Sequence, residues 1–139
     1  MEVEEQVKRL NDALRLQGRS ALQYMLTGGS LLGLEHQPIA ERFGEFANAE
    51  LDDARRIVEK IAALGGEPTA EVAPPRFDAD SRKALDWLIE TETEALKALQ
   101  DAIEPTGREA ASEAVEHRLE HIIMRKQEQV DVLLRATRS

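Results

Sequence analysis

Residues 39–64 read IAERFGEFANAELDDARRIVEKIAAL, and this stretch decides the fold. Apolar side chains recur along it every three or four residues, which is the spacing of one face of an α-helix. Glu50 lies in the middle of that apolar face, and Asp53 follows one turn later. Ionised side chains are rarely buried without a partner or a metal. The stretch therefore predicts a long amphipathic helix with a polar site at its centre.

The same pattern occurs three more times along the chain. Apolar stripes run through residues 10–25, 85–103 and 115–133, and each has a polar residue where an apolar one is expected: Gln17, Glu92 and Lys126, respectively. Four stripes of this kind predict four helices that share one core. The polar residues near their midpoints are then expected to meet inside it.

Glycine and proline residues place the ends of these helices. We predict helices at about residues 3–27, 38–64, 81–104 and 109–136, with Asp80 or Ser81 capping the third. Residues 67–79 contain three prolines and cannot be helical. The prediction is an all-α fold, an antiparallel four-helix bundle with a long crossover between helices 2 and 3, formed by residues 1–139 as a single domain.

Composition narrows the classes of function. The chain has 139 residues, with 27 acidic and 18 basic side chains and a net charge of −9, which argues against a nucleic-acid partner. It has no cysteine, so disulfides and thiolate metal sites are excluded. No apolar run is long enough to span a membrane, and residues 2–5 read EVEE rather than an export signal. We expect a cytoplasmic protein without a membrane partner.

Several segments resemble the ferritin-like superfamily, with bacterioferritins as the nearest relatives. They are AELDDARRI at residues 49–57, ALGGEP at 63–68, QY at 23–24 and LQDAI at 99–103. The resemblance implies iron storage or handling and a di-iron site built from a Glu on each of two helices and a Glu-x-x-His on each of the other two. These ligand positions match Gln17 and Glu92, then Glu50 with Asp53, and Lys126 with Gln129. The haem-ligating Met of bacterioferritins falls on Leu51, so no haem is expected.

Two interpretations of the predicted centre remain open. In the first, Glu50, Asp53 and Glu92 bind one iron or other divalent metal ion, and any Fe²⁺ oxidation at this incomplete ferroxidase site is slow. The surrounding shell would be formed by Gln17, Tyr24, Lys126 and Gln129. In the second, the chain is a non-catalytic scaffold or interaction protein, and Lys126 bridges Glu50 and Glu92 in a metal-free ion network while Asp53 turns toward solvent.

Two other features of the sequence suggest sites outside the centre. His117 and His121, in an H-x-x-E-H pattern, are one helical turn apart and form a candidate second metal site, with a zinc peptidase as a distant alternative. A histidine pair facing solvent or another subunit explains the pattern more simply. The apolar, glycine-containing residues 26–34 are costly to expose, so we expect at least a homodimer.

Overall fold

The computed structural model describes residues 2–103 and 110–137. Four long α-helices account for most of them: α1 (Val3–Ser30), α2 (Gln37–Ala63), α3 (Ser81–Asp101) and α4 (Ala110–Thr137). A short 3₁₀ turn at Leu34–His36 precedes α2. The predicted all-α bundle is confirmed. The expected start of helix 4 at residue 109 lies outside the described residues.

Helix ends follow local chemistry. The Asp80 side chain caps α3 by accepting a hydrogen bond from the Lys83 backbone N–H at 2.9 Å. Gly65 follows α2 with a φ of +83°, a conformation that favours glycine. The prediction was wrong at the end of α1, which continues three residues beyond Thr27 through Gly28 and Gly29. At Gly28 an added Cβ would lie 2.8 Å from the Phe43 Cβ, so glycine allows α1 and α2 to pack closely there.

The crossover between α2 and α3 runs along α1 and is fastened to it at both ends. Near its start, Asn11 accepts from the Thr69 backbone N–H at 2.8 Å and donates to the Glu67 carbonyl at 3.0 Å. Near its end, the Gln23 side chain accepts from the Arg76 N–H at 2.8 Å and donates to the Arg76 carbonyl at 2.7 Å. These contacts hold the long connection along one side of the bundle.

Three apolar clusters form the core of the described residues, and two of them are large. One, at one end of the bundle, includes Leu10, Ile57, Leu99 and Leu119. The other includes Tyr24, Phe43, Phe46, Leu88 and Leu133. The polar positions predicted from the stripes fall between them in sequence on every helix. The bundle therefore consists of a polar layer between two apolar ones. Within the described residues, no helix combines the length and hydropathy needed to cross a membrane.

Candidate functional site

The polar layer brings together one predicted residue from each helix. Gln17 on α1, Glu50 on α2, Glu92 on α3 and Lys126 on α4 all have fully buried side chains. Each lies on the apolar stripe of its helix, so burying the stripe also buries the polar group. Tyr24, Gln129 and Asp53 are buried beside them. All seven residues predicted for the centre are therefore in or next to this layer.

Lys126 is the cation at the middle of the layer. Its Nζ lies 2.8 Å from Glu50 Oε2 and 3.0 Å from Glu92 Oε2. The ammonium also donates to the Ser20 hydroxyl at 3.4 Å. An ammonium has three N–H donors and no acceptor, so these three partners complete its hydrogen bonds. The structure thus has the lysine bridge that the second interpretation expects.

The two carboxylates have further donors on their other sides. Glu50 accepts hydrogen bonds from Gln17 and, at 2.9 Å, from Gln129. Glu92 accepts from Ser20 and, at 3.1 Å, from the Tyr24 hydroxyl. Every oxygen of both carboxylates therefore accepts at least one hydrogen bond. Buried carboxylates need this compensation because they have lost their hydration.

Asp53 is in a different arrangement from the one predicted. Its carboxylate pairs with Arg125 on α4 and, at 3.2 Å, with Arg56 on its own helix. Only 2% of its surface is exposed, so the expectation that it turns toward solvent was wrong. The physical reason is Arg125, whose guanidinium also donates to the Gln129 side chain. Two guanidinium groups make a buried position favourable for this carboxylate.

Three residues of the site were missed from the sequence: Ser20, Arg56 and Arg125. A serine at the edge of a helical stripe carries no distinctive pattern. Arg125 precedes the buried Lys126, and its long side chain reaches Asp53 from a position that looks solvent-facing in the helical repeat. The pairing of Arg125 with Asp53 could have been suspected only because a buried aspartate needs a cation.

The surroundings shift the pKa values of three groups. Burial and, to a smaller extent, Glu92 raise the pKa of Glu50, while Lys126 opposes both effects, and the net result is a pKa of about 7. Burial disfavours the charged form of Lys126, but the nearby Glu50 and Glu92 carboxylates outweigh it and raise the pKa of the ammonium above its usual value. Burial and the same two carboxylates raise the pKa of Tyr24. Lys126 is therefore charged and Tyr24 neutral at pH 7.

Glu50 should make stability depend on pH. Its pKa is about 7 in the folded chain against 4.5 for an ordinary glutamate, so the folded state binds more protons between these values. The raised pKa of Glu50 contributes to the free energy of unfolding in full below pH 4.5, and this contribution is lost as pH rises through 7. We expect the free energy of unfolding of the wild type to fall relative to that of Glu50→Gln across this window, by at most about 1.4 kcal/mol per pH unit.

Urea unfolding at several pH values and one protein concentration measures this difference. The Glu50→Gln change also alters the hydrogen bond to Lys126, but that cost adds a constant offset rather than a slope. Parallel curves for the two proteins between pH 4.5 and pH 7 would contradict the prediction.

Two metal ions do not fit the residues of the layer. The Lys126 ammonium lies where a cation shared by Glu50 and Glu92 would have to bind, and the Asp53 carboxylate faces guanidinium groups. A divalent ion at this place would be repelled by the adjacent ammonium. Across residues 2–103 and 110–137, no three His, Asp or Glu side chains are arranged to hold a metal ion. The assignment of Glu50, Asp53 and Glu92 as metal ligands stays a prediction.

His117 and His121 lie outside the layer, on the exposed side of α4. Their Nε2 atoms are 3.2 Å apart, and the two rings meet edge to face across one helical turn. The pocket beside them is lined by Arg56, Lys60 and Arg118, and these cations oppose a divalent metal ion. A metal site at this pair stays a prediction, and the geometry favours the simpler interpretation of a solvent-facing pair.

Comparison with known proteins gives a family and a set of structural neighbours. The family model "Ferritin: Ferritin-like domain" matches residues 7–136. No curated protein sequence is significantly similar to the chain. A ferritin-like, diiron-carboxylate protein from Bacillus anthracis is 23% identical, with a TM-score of 0.90 over 99% of this chain and 100% of its own.

Two further solved structures share the fold. A bacterioferritin from Rhodobacter capsulatus, described with a metal-free dinuclear site and haem iron, is 22% identical, with a TM-score of 0.82 over 96% of this chain and 84% of its own. A dodecameric, bacterioferritin-related thioferritin from Bacteroides fragilis is 20% identical, with a TM-score of 0.84 over the same fractions. At these identities the neighbours establish the fold but not the chemistry of this chain.

Proposed function

Because the chain belongs to the ferritin-like domain family, we propose that it is a ferritin-like subunit of a homo-oligomer in which a lysine replaces the metal ions of the bundle centre. The observation that carries the proposal is the position of Lys126 Nζ, 2.8 Å from Glu50 and 3.0 Å from Glu92. The protein then acts as a scaffold or interaction subunit rather than as a ferroxidase.

The charge of the layer supports this proposal. Glu50 and Glu92 together carry at most two negative charges, and Lys126 removes one of them. The second is reduced by partial protonation of Glu50, whose pKa is about 7. Asp53 is neutralised separately by Arg125 and Arg56. Little negative charge is left to attract a divalent ion, whereas a centre that holds two such ions needs about four carboxylates.

A single divalent ion is the second candidate, and one observation favours it. Gln17 Oε1 is buried next to Glu50 and has no hydrogen-bond partner within the described part of the chain. An amide oxygen is a suitable ligand for a hard cation. In this candidate the ion binds Glu50 and Glu92 after Lys126 has moved aside, with Asp53 as the third predicted ligand. Iron or another divalent metal would then be the cofactor.

Metal content after anaerobic Fe²⁺ loading and desalting separates the two candidates. We expect the wild type to retain no more metal than Glu50→Ala/Glu92→Ala. The matched positive control is Lys126→Glu/Gln129→His, which restores the Glu-x-x-His pair on α4 and is expected to retain metal. One ion per chain in the wild type, lost in the alanine variant, would overturn the scaffold proposal and support the single-metal candidate. Mass spectrometry gives the stoichiometry, and circular dichroism confirms folding.

The outer face of α1 and α2 supports the oligomer. A pocket of about 440 Å³ on this face is lined by Leu22, Met25 and Leu51 together with glycines, alanines, one tyrosine and one asparagine. Among the described residues, no acidic or basic side chain lines it. In a chain with 32% charged residues, such a surface is typical of a contact between subunits. The apolar stripe of α1 predicted Met25 to be buried, and for this residue the prediction was wrong. Met25 is exposed on the outer face of α1.

We propose that a second copy of the chain covers this face around a twofold axis. The face can be self-complementary, since Met25 and Leu51 are exposed beside a hollow over Gly29 and Gly44, where an added Cβ would meet no atom within 4 Å. Two copies can place each projecting side chain in the partner's hollow. Leu32 and Leu34, in the apolar segment that led to the expectation of a dimer, are also strongly exposed. The homodimer and a cytoplasmic location stay predictions.

A further inference from the structure

A groove between α2 and α4 lies outside the bundle centre and the proposed dimer face. Two adjoining pockets form it, with volumes of about 290 and 470 Å³. Arg56, Arg118 and His121 line both of them, so the pockets are continuous along the surface. The lining of α4 extends from Ala114 to Glu128, which corresponds to about 20 Å of helix. The groove is therefore longer than a single small ion needs.

The groove is basic although the whole chain is acidic. Its lining has four permanent cations and two carboxylates: Arg56, Lys60, Arg118 and Arg125 against Asp53 and Glu128. The chain as a whole has a net charge of −9. Cations that repel one another within a concave surface indicate a site for an anion.

Two of these cations are available to a ligand. Asp53 already pairs with Arg56 and Arg125. Lys60 and Arg118 have no ion pair within residues 2–103 and 110–137, and both line the larger pocket, in which no carboxylate takes part. His117 and His121 line the same pocket, with their Nε2 atoms turned toward each other at 3.2 Å.

We propose that this groove binds the phosphate chain of a short polyphosphate, either free or attached to a nucleoside. Guanidinium groups donate paired hydrogen bonds to phosphate oxygens, and a lysine adds a compact charge. The length of the groove fits consecutive phosphate groups better than one. An extended nucleic acid is disfavoured because the remaining surface is acidic.

Isothermal titration calorimetry with tripolyphosphate at low salt tests this proposal. We expect the wild type to bind tripolyphosphate and to bind orthophosphate at least about tenfold more weakly, because a single phosphate reaches fewer of the cations. ATP distinguishes a free polyphosphate from one attached to a nucleoside. If ATP binds as tightly as tripolyphosphate, the phosphates alone are recognised, whereas tighter binding of ATP indicates a nucleotide.

The variant Lys60→Gln/Arg118→Gln removes two charges from the groove and should weaken binding by about tenfold or more. Its matched control is Arg82→Gln/Lys83→Gln, which removes the same charge at the start of α3, away from the groove, and should bind as the wild type does. No binding to the wild type would overturn the proposal. An equal loss in both variants would overturn it too, because the interaction would then depend on net charge.

Discussion

Replacing Lys126 with methionine is expected to lower the free energy of unfolding by about 3–5 kcal/mol. Methionine has a similar length and fills the same space, so the loss is electrostatic. Without the ammonium, Glu50 and Glu92 are two fully buried carboxylates with no cation between them. The pKa of Glu50 should rise further, and part of the lost stability should return as the pH is lowered and this carboxyl takes up a proton.

Urea or thermal unfolding at fixed protein concentration measures this loss. Lys97→Met is the matched control, because Lys97 is an exposed lysine on α3 whose replacement should change stability by no more than about 0.5 kcal/mol. Adding Glu50→Gln and Glu92→Gln to Lys126→Met removes the unpaired charges and should recover part of the stability. A cost for Lys126→Met no larger than that of the control would mean that the bridge contributes nothing to the folded state.

The lysine bridge supplies a positive charge at the centre of this bundle. Four helices with polar residues at their midpoints need something positive at the centre, since two buried carboxylates repel each other. In this chain the positive group is the Lys126 side chain, which is part of α4. Its ammonium therefore links α4 to both α2 and α3, through Glu50 and Glu92. Networks of this kind fix the register of helices more than they add stability. We infer that this is the role of the polar layer.

The sequence was sufficient for the helices and for the central residues because both follow from one periodicity. Gln17, Glu50, Glu92 and Lys126 interrupt apolar stripes, and burial of the stripes places them together. Their pairing could not be derived in the same way. A stripe shows that Lys126 is buried, but not whether its ammonium or a metal ion lies between the carboxylates, because that depends on distances of about an ångström.

The sequence did not predict the contacts of residues outside the apolar stripes. Arg125 and Gln23 illustrate two reasons. Arg125 reaches Asp53 through a long, flexible side chain, and nothing in the repeat of α4 indicates its direction. Gln23 is buried because the crossover passes over it and bonds to it through Arg76, and the path of a proline-rich connection is not encoded in a helical pattern. Helix periodicity describes what faces the core, not what covers the outside of a helix.

Charges placed on the outer face of α1 and α2 are expected to abolish the proposed dimer. In Met25→Glu/Leu51→Glu each subunit contributes two carboxylates, and the twofold axis doubles them, so four like charges would be buried in one contact. Like charges across an interface cost several kcal/mol, and about 4 kcal/mol corresponds to a 1,000-fold weaker dimer. The helical content should stay unchanged, because both side chains are exposed in the subunit.

Sedimentation equilibrium or native mass spectrometry distinguishes this result from a general effect of added charge. Phe77→Glu is the control, since Phe77 is an exposed apolar side chain on the crossover, away from the face, and its variant should assemble as the wild type does. If the wild type is a monomer at micromolar concentration, or if the double variant keeps the wild-type mass, the second copy does not cover this face. Loss of assembly in the double variant alone would identify the charge-free surface of α1 and α2 as the contact, because Phe77→Glu adds a charge elsewhere on the same subunit.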